Sequence, residues 1–300
     1  MTLPKAVVEN RQDQKRREKE RMKNGRSELW REGLREVYDI FYLPDGSLRH
    51  TLDLIRPEGQ EKLPVIIEIH GGGYIACEKN INRLHARAFA QQGFAVVNGD
   101  YTLHPEADFV AELRELAAIV DWVGENAERY GLDAERVYMS GDSAGGHLVL
   151  LYAMLQGNRS FQEKICVMPG RCAIRAAAPT CPAFSLSGGG VAGAALAMLL
   201  PLMYPEGVEP DYLETFDVLR LIPESEYPPL IITTTPADEL LYEEDLILEK
   251  ALAESGRPYR FCSWPEKANK LGHVFNVLFP ELEESREANR AIADYFRAQG

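Results

Sequence analysis

Gly141-Asp142-Ser143-Ala144-Gly145 follows a short apolar run, residues 137–139, and leads directly into an apolar stretch, residues 147–155. In that setting G-x-S-x-G means strand, sharp turn and helix. The turn strains the serine and lifts its hydroxyl clear of the strand, and small neighbours let strand and helix close around it. Such a hydroxyl attacks an acyl carbon only if a base takes its proton and a third group orients the base. Six histidines are available. His50, His85 and His104 precede the serine, His70 belongs to a glycine-rich motif, and His147, one helical turn after Ser143, is expected to face the strand. His273, in Gly272-His273-Val274-Phe275, follows the last apolar run and is the expected base. Asp238 directly follows the run 230–235 and is the expected orienting acid. Glu239, Glu243 and Glu244 could substitute, but they fall on the next helix and read as solvated. Ser, Asp, His in that chain order differs from the orders of chymotrypsin and subtilisin.

Acyl chemistry also needs donors for the tetrahedral oxyanion. Ile69-His70-Gly71-Gly72-Gly73-Tyr74 follows the apolar run 63–69, and successive glycines let backbone N–H groups face a substrate without obstruction by Cβ atoms. A phosphate loop would need G-K-[ST] and a dinucleotide site G-x-G-x-x-G, and the motif has neither. His70 is expected to support the loop through hydrogen bonds and not to act as a base.

The elements that must hold these groups follow from hydropathy patterning. Residues 37–43 and 48–55 read as a hairpin around Pro44-Asp45-Gly46. Buried strands are expected at 63–69 and 94–98, with a helix at 82–92 between them. Across 108–130, Phe109, Leu113, Leu116, Val120 and Val123 step by threes and fours and mark one helical face. Further strands are expected near 174–178, 230–235 and 259–264, with helices at 239–254 and 284–298. After the hairpin, strands and helices alternate, which predicts an α/β fold with a largely parallel sheet covered on both faces. Residues 180–226 break the alternation. Rich in Gly, Pro, Met and Leu, they read either as a helical lid over the cleft or as an ordinary core helix with a loop.

Residues 9–36 carry ten Lys/Arg against seven Asp/Glu and predict one or two surface helices, with Leu29, Trp30 and Leu34 packed on something apolar. Over all 300 residues the formal net charge is −13, which argues against nucleic acid and anionic membranes as partners. The 45% apolar content suffices for a sizeable core. The five cysteines, Cys77, Cys166, Cys172, Cys181 and Cys262, show no C-x-x-C spacing and suit free thiols in the cytoplasm better than a disulfide among Cys166, Cys172 and Cys181. The N-terminus lacks a signal-peptide core, and the longest apolar stretch, 191–204, is too short to span a bilayer. No H-E-x-x-H or clustered His/Asp pattern suggests a metal, and His104 near Glu106 and Asp108 reads as part of a surface loop.

Together His70-Gly71-Gly72-Gly73-Tyr74, Asp100-Tyr101-Thr102-Leu103-His104-Pro105-Glu106, Gly141-Asp142-Ser143-Ala144-Gly145-Gly146, Asp238-Glu239-Leu240 and His273-Val274-Phe275 resemble the hormone-sensitive-lipase-type esterases of the α/β-hydrolase superfamily, over about residues 35–298. The resemblance implies a Ser143–His273–Asp238 triad and an oxyanion hole from the N–H groups of Gly72, Gly73 and Ala144. It also implies a cap that joins the N-terminal segment, 1–36, to an insert at 180–226 of the 37–300 catalytic domain. The family pattern Asp-Tyr-Arg-Leu-Ala-Pro-Glu is altered: Thr102 replaces the arginine and His104 the alanine, which removes an expected ion pair near Glu106. Pro236-Ala237 replaces the usual glycine-containing turn before the acid. The expected activity is cofactor-free hydrolysis of small, short-acyl esters. An amidase or formamidase would use the same triad, and a non-catalytic ligand-binding relative is the alternative from another class. The charged N-terminal segment could also mediate a homo-oligomer.

Overall fold

A computed structural model describes residues 3–184, 186 and 190–300. Its centre is a sheet of eight strands: β1 (Leu34–Phe41), β2 (Thr51–Pro57), β3 (Leu63–Ile69), β4 (Ala95–Gly99), β5 (Leu132–Asp142), β6 (Ile174–Thr180), β7 (Leu230–Thr234) and β8 (Tyr259–Ser263). They lie in the order β1-β2-β4-β3-β5-β6-β7-β8. β2 is antiparallel to both β1 and β4, and every later pair is parallel. The reversal between β4 and β3 brings the carboxyl ends of β3 and β5 side by side, with Ile69 opposite Gly141. This is the kind of edge crevice where open α/β sheets hold their ligands.

The continuous apolar runs of β3 and β4 make sense as strands covered on both faces. Val65, Ile67 and Ile69 turn to one core and Ile66 to the other. On the larger side pack α3 (Phe109–Glu125), α5 (Ala144–Gln156) and α10 (Tyr242–Ser255). On the smaller side pack α2 (Arg83–Ala90) and α12 (Glu283–Arg297), with Phe296 stacked on Tyr138 at 4.6 Å between ring centres. The remaining helices are α1 (Lys5–Arg21), α4 (Ala127–Tyr130), α6 (Arg159–Ile165), α7 (Gly190–Met203), α8 (Pro210–Thr215), α9 (Val218–Leu221) and α11 (Phe275–Leu278).

Three boundaries differ from expectation, each for a local reason. The charged segment is helical only over α1 and a 3₁₀ turn at Arg26–Glu28, because Leu34 already pairs with Pro57 as β1 begins. A boundary at 36 therefore falls inside that strand. Residues 48–50 form a 3₁₀ turn and not strand, since the Ser47 hydroxyl accepts from the Arg49 N–H and curls the chain. The stretch 108–130 is two helices, interrupted where Asn126 caps α3. Within 180–226 the chain forms α7, α8 and α9; Gly188 and Gly189 of that stretch lie outside the described residues.

The chain's two ends meet. Arg26 donates to the Leu278 carbonyl at 2.9 Å and pairs with Glu281 at 2.7 Å, across more than 250 positions. All five cysteines are free. Among the described residues no helix is long and apolar enough to cross a membrane.

Candidate active site

The turn between β5 and α5 is as tight as its residues suggest. Ser143 has φ 52° and ψ −118°, a conformation that persists only where its surroundings enforce it. A Cβ on Gly145 would lie 2.3 Å from the Ile69 carbonyl oxygen, so a side chain there would force β3 and α5 apart. The Ser143 N–H donates to Thr180 O at 3.0 Å, and Ser143 O accepts from the Ala183 and His147 N–H groups. The hydroxyl is left free to point along the sheet's carboxyl edge.

There Ser143 Oγ lies 2.9 Å from His273 Nε2, and His273 Nδ1 lies 2.8 Å from Asp238 Oδ2. A proton on Nδ1 is the one the aspartate can accept, and in that tautomer Nε2 is free to accept from the serine hydroxyl. Asp238 Oδ1 accepts the Leu240 and Leu241 N–H groups at 2.9 and 3.2 Å. Burial alone would raise this carboxyl, but the hydrogen bond and charge of His273, with the two amides, outweigh it and hold the group below the usual carboxylate range. The turn at Pro236-Ala237 therefore seats the acid despite lacking glycine. Glu239, Glu243 and Glu244 make no contact with His273 among the described residues.

The glycine motif arches over the serine. Gly72, Gly73 and Tyr74 have φ of 119°, 60° and 65° in succession. At Gly72 a Cβ would sit 2.3 Å from the Ala76 carbonyl oxygen, so glycine is required there. Gly72, Gly73 and Ala144 border the cavity that contains Ser143, and their N–H groups donate to no protein acceptor among the described residues. Ala144 is the first residue of α5, so its N–H also carries the positive end of the helix dipole. His70 is fully buried, with Nδ1 2.7 Å from Gly71 O, Nε2 3.3 Å from Asp100 and its ring stacked on Tyr101. It touches neither Ser143 nor His273, consistent with a supporting place in the loop.

Sequence reasoning missed several supports. Asp142, the variable residue of G-x-S-x-G, accepts the Gly71 N–H at 3.1 Å and an Asn82 amide proton at 2.8 Å, which ties the glycine loop to the serine turn. His147 does not face the strand. It is buried between Tyr74, whose hydroxyl lies 2.9 Å from Nδ1, and the Phe216 carbonyl, 2.9 Å from Nε2. Burial lowers its pKa to about 4, so the ring is a neutral strut between the glycine loop and the 180–226 stretch. His104 is likewise no surface residue: it is fully buried beside Glu112 at 3.6 Å, inside a cluster of aromatic rings. Glu106 does find an arginine, and it comes from α1. Arg11 chelates its carboxylate at 2.9 and 2.6 Å. Glu106 could be read as a partner in search of a cation, but no local pattern singled out Arg11 among the ten basic residues of its segment.

The cavity around Ser143 holds about 450 Å³. Ala192, Ala195, Leu196 and Leu199 of α7 wall one side, and Asn10, Gln14 and Arg17 of α1 another. Cys181, Asp238 and His273 present ligand atoms within 4.8 Å of one another, a grouping not visible in the sequence. Burial holds the Cys181 thiol well above its ordinary pKa, and the aspartate and imidazole already bond each other.

Residues 52–176 match the BD-FAE family model. Over 100 residues the chain is 39% identical to carboxylesterase NlhH of Mycobacterium tuberculosis, covering 33% of this chain and 31% of that one. Over 109 residues it is 31% identical to bovine hormone-sensitive lipase, covering 36% of this chain and 14% of the lipase. The matched stretch thus spans about a third or less of these curated relatives. Among solved structures, esterase B from Lactobacillus rhamnosis superposes with a TM-score of 0.88 at 26% identity, covering 98% of this chain and 94% of that one. A form of the same esterase inhibited by a C4-C4 tributyrin phosphonate superposes equally well, at 26% identity and over 99% and 96% of the two chains. With the eight-stranded sheet and the serine turn at its carboxyl edge, these likenesses give the chain an α/β-hydrolase fold similar to that of the hormone-sensitive-lipase-type esterases.

Proposed function

We propose that this chain is a serine carboxylester hydrolase that cleaves small, short-acyl esters without a cofactor. The observation that carries the proposal is the unbroken relay from Ser143 Oγ to His273 to Asp238, at 2.9 and 2.8 Å, beneath backbone N–H groups that have no protein acceptor among the described residues. Ser143 Oγ adds to the ester carbonyl carbon as His273 Nε2 takes its proton. The carbonyl oxygen becomes an oxyanion held by the N–H groups of Gly72, Gly73 and Ala144, each worth about 3 kcal/mol in such sites. The imidazolium, steadied by Asp238, then protonates the departing alkoxide, and the acyl group remains on Ser143. Water enters, gives its proton to His273 and attacks the acyl carbon, and the returning proton frees Ser143.

The 450 Å³ cavity offers an acyl chain an apolar side built by Ala192, Ala195, Leu196 and Leu199 of α7. The tributyrin phosphonate in the esterase B relative supports a short one. The five free thiols fit a reducing, cytoplasmic setting. The test is hydrolysis of p-nitrophenyl acetate and butyrate beside labelling by a fluorophosphonate. Wild type should turn over both esters and take up one label per chain, and Ser143→Ala should lose both properties together. Wild type without turnover or labelling would overturn the hydrolase reading. A chain-length optimum beyond about ten carbons would overturn the short-acyl preference while leaving the hydrolase intact.

A further inference from the structure

The glycine loop holds three consecutive residues at positive φ, and the third, Tyr74, is not glycine. Such a run relaxes unless its surroundings over-determine it. On its inner side it is fixed by Asp142 at the Gly71 N–H. Besides the His147 strut at the Tyr74 hydroxyl, its outer side is held by a guanidinium from a helix more than sixty positions earlier. Arg11 Nε donates to Ile75 O at 2.7 Å, and Nη2 donates to His104 O at 3.0 Å. Both Nη atoms also reach the Glu106 carboxylate, at 2.9 and 2.6 Å. The loop containing His104 is itself tied to the glycine loop, because the His104 N–H donates to Tyr74 O at 2.9 Å. Arg11 therefore clasps two loops that meet at the oxyanion donors. The Arg11 side chain is only 14% exposed, so its bonds to the Ile75 and His104 carbonyls form where water competes little, while the Glu106 carboxylate stays 38% exposed. A lysine could not replace it, because a point charge cannot serve two carbonyls and a carboxylate in the fixed geometry of a planar fork.

We propose that Arg11 is a positioning residue for the oxyanion donors, and that the seating of α1 through Arg11 is a condition for their correct placement. This rests on the serine-hydrolase reading. Arg11 brings Glu106 a cation from outside the Asp100–Glu106 motif, in which Thr102 stands for the arginine of the family pattern. Misplacing the donors affects the tetrahedral state more than the bound ester, so the effect belongs in kcat.

The test compares full-length wild type with Arg11→Gln, Arg11→Lys, Glu106→Gln and, as a control, Arg16→Gln. Arg16 also sits on α1, is 80% exposed and, among the described residues, pairs only with Asp13 of the same helix. The readouts are kcat and KM for p-nitrophenyl butyrate, the melting temperature, and inhibition by an alkyl trifluoromethyl ketone, whose adduct with Ser143 carries an oxyanion. Arg11→Gln should lower kcat by about 10- to 100-fold, as displaced positioning groups do, and weaken ketone binding by a similar factor. KM should stay within about twofold. Arg11→Lys and Glu106→Gln should fall between wild type and Arg11→Gln, and Arg16→Gln should match wild type. If Arg11→Gln does not fold, Arg11→Lys and Glu106→Gln decide the matter, and wild-type kcat in both overturns the proposal. A raised KM with unchanged kcat and ketone affinity also overturns it, by reducing Arg11 to a cavity wall. Wild type without turnover or labelling would instead sink the hydrolase reading, and this proposal with it.

Discussion

Asp238 does two things with one carboxylate: one oxygen orients His273, and the other accepts two N–H groups of its own turn. Asp238→Asn keeps the size but can present an N–H to His273 Nδ1, which favours the tautomer that cannot take the serine proton. The expected loss in kcat is about 10⁴-fold, with activity above that of Ser143→Ala. Steady-state kinetics with p-nitrophenyl butyrate measure it, and a loss below tenfold would show that another acid orients the imidazole. That Ser143, His273 and Asp238 would lie side by side was legible in the sequence because a strained serine turn and a fixed chain order leave few candidates. Arg11 and His147 were not. The partners of Arg11 lie 64 to 95 positions away, and the direction of the His147 ring depends on the path of the chain near Phe216, which no periodicity encodes.

At the scale of elements, the contact between β3 and the start of α5 sets the height of the serine. Gly145→Ala should overpack it, at a cost of about 1–3 kcal/mol. Urea denaturation should show that loss even with a little residual activity. An unchanged midpoint would mean that strand and helix can part without consequence. The wall formed by α7 makes a separate prediction. Ala195→Trp should fill the acyl side of the cavity and lower the butyrate-to-acetate ratio of kcat/KM by about tenfold or more, the size of effect a few methylenes produce in an apolar pocket. A ratio that does not move would place the acyl chain elsewhere. The alternation of strands and helices, and so the sheet, could be read from periodicity because each run is long enough to show its period. The ends of β1 and the turn at residues 48–50 could not, since they depend on cross-strand pairing and a single serine cap.

For the whole molecule, two buried groups give stability opposite pH slopes. His147 is held near pKa 4 by burial, below its ordinary 6.5. As pH falls below 6.5 the unfolded chain takes up this proton first, so the stability tied to the neutral ring is present above 6.5 and is lost on the way to 4. Glu112 is raised to about 7 from 4.5, chiefly by burial. Its contribution is complete below 4.5 and is lost as pH rises through 7. Urea midpoints between pH 4 and 8 should therefore show His147→Asn gaining on wild type as pH falls from 6.5, and Glu112→Gln gaining as pH rises from 4.5. Parallel curves for either variant would mean that its group titrates alike in the folded and unfolded chains.

The bond from Arg26 to the loop beyond His273 has a consequence for birth on the ribosome. Of these segments translation delivers α1 and Arg26 before the glycine loop and Ser143, and His273 after them, followed by α12, which helps cover one face of the sheet. On the proposed mechanism a nascent chain can hold a nucleophile with nothing to take its proton, and α1 must wait unpartnered for loops still to be made. Non-local contacts of this kind also form slowly. Arrested nascent chains of increasing length should thus stay inert toward a fluorophosphonate until the segment from 273 through α12 has cleared the exit tunnel, so that reactivity arrives in one late step.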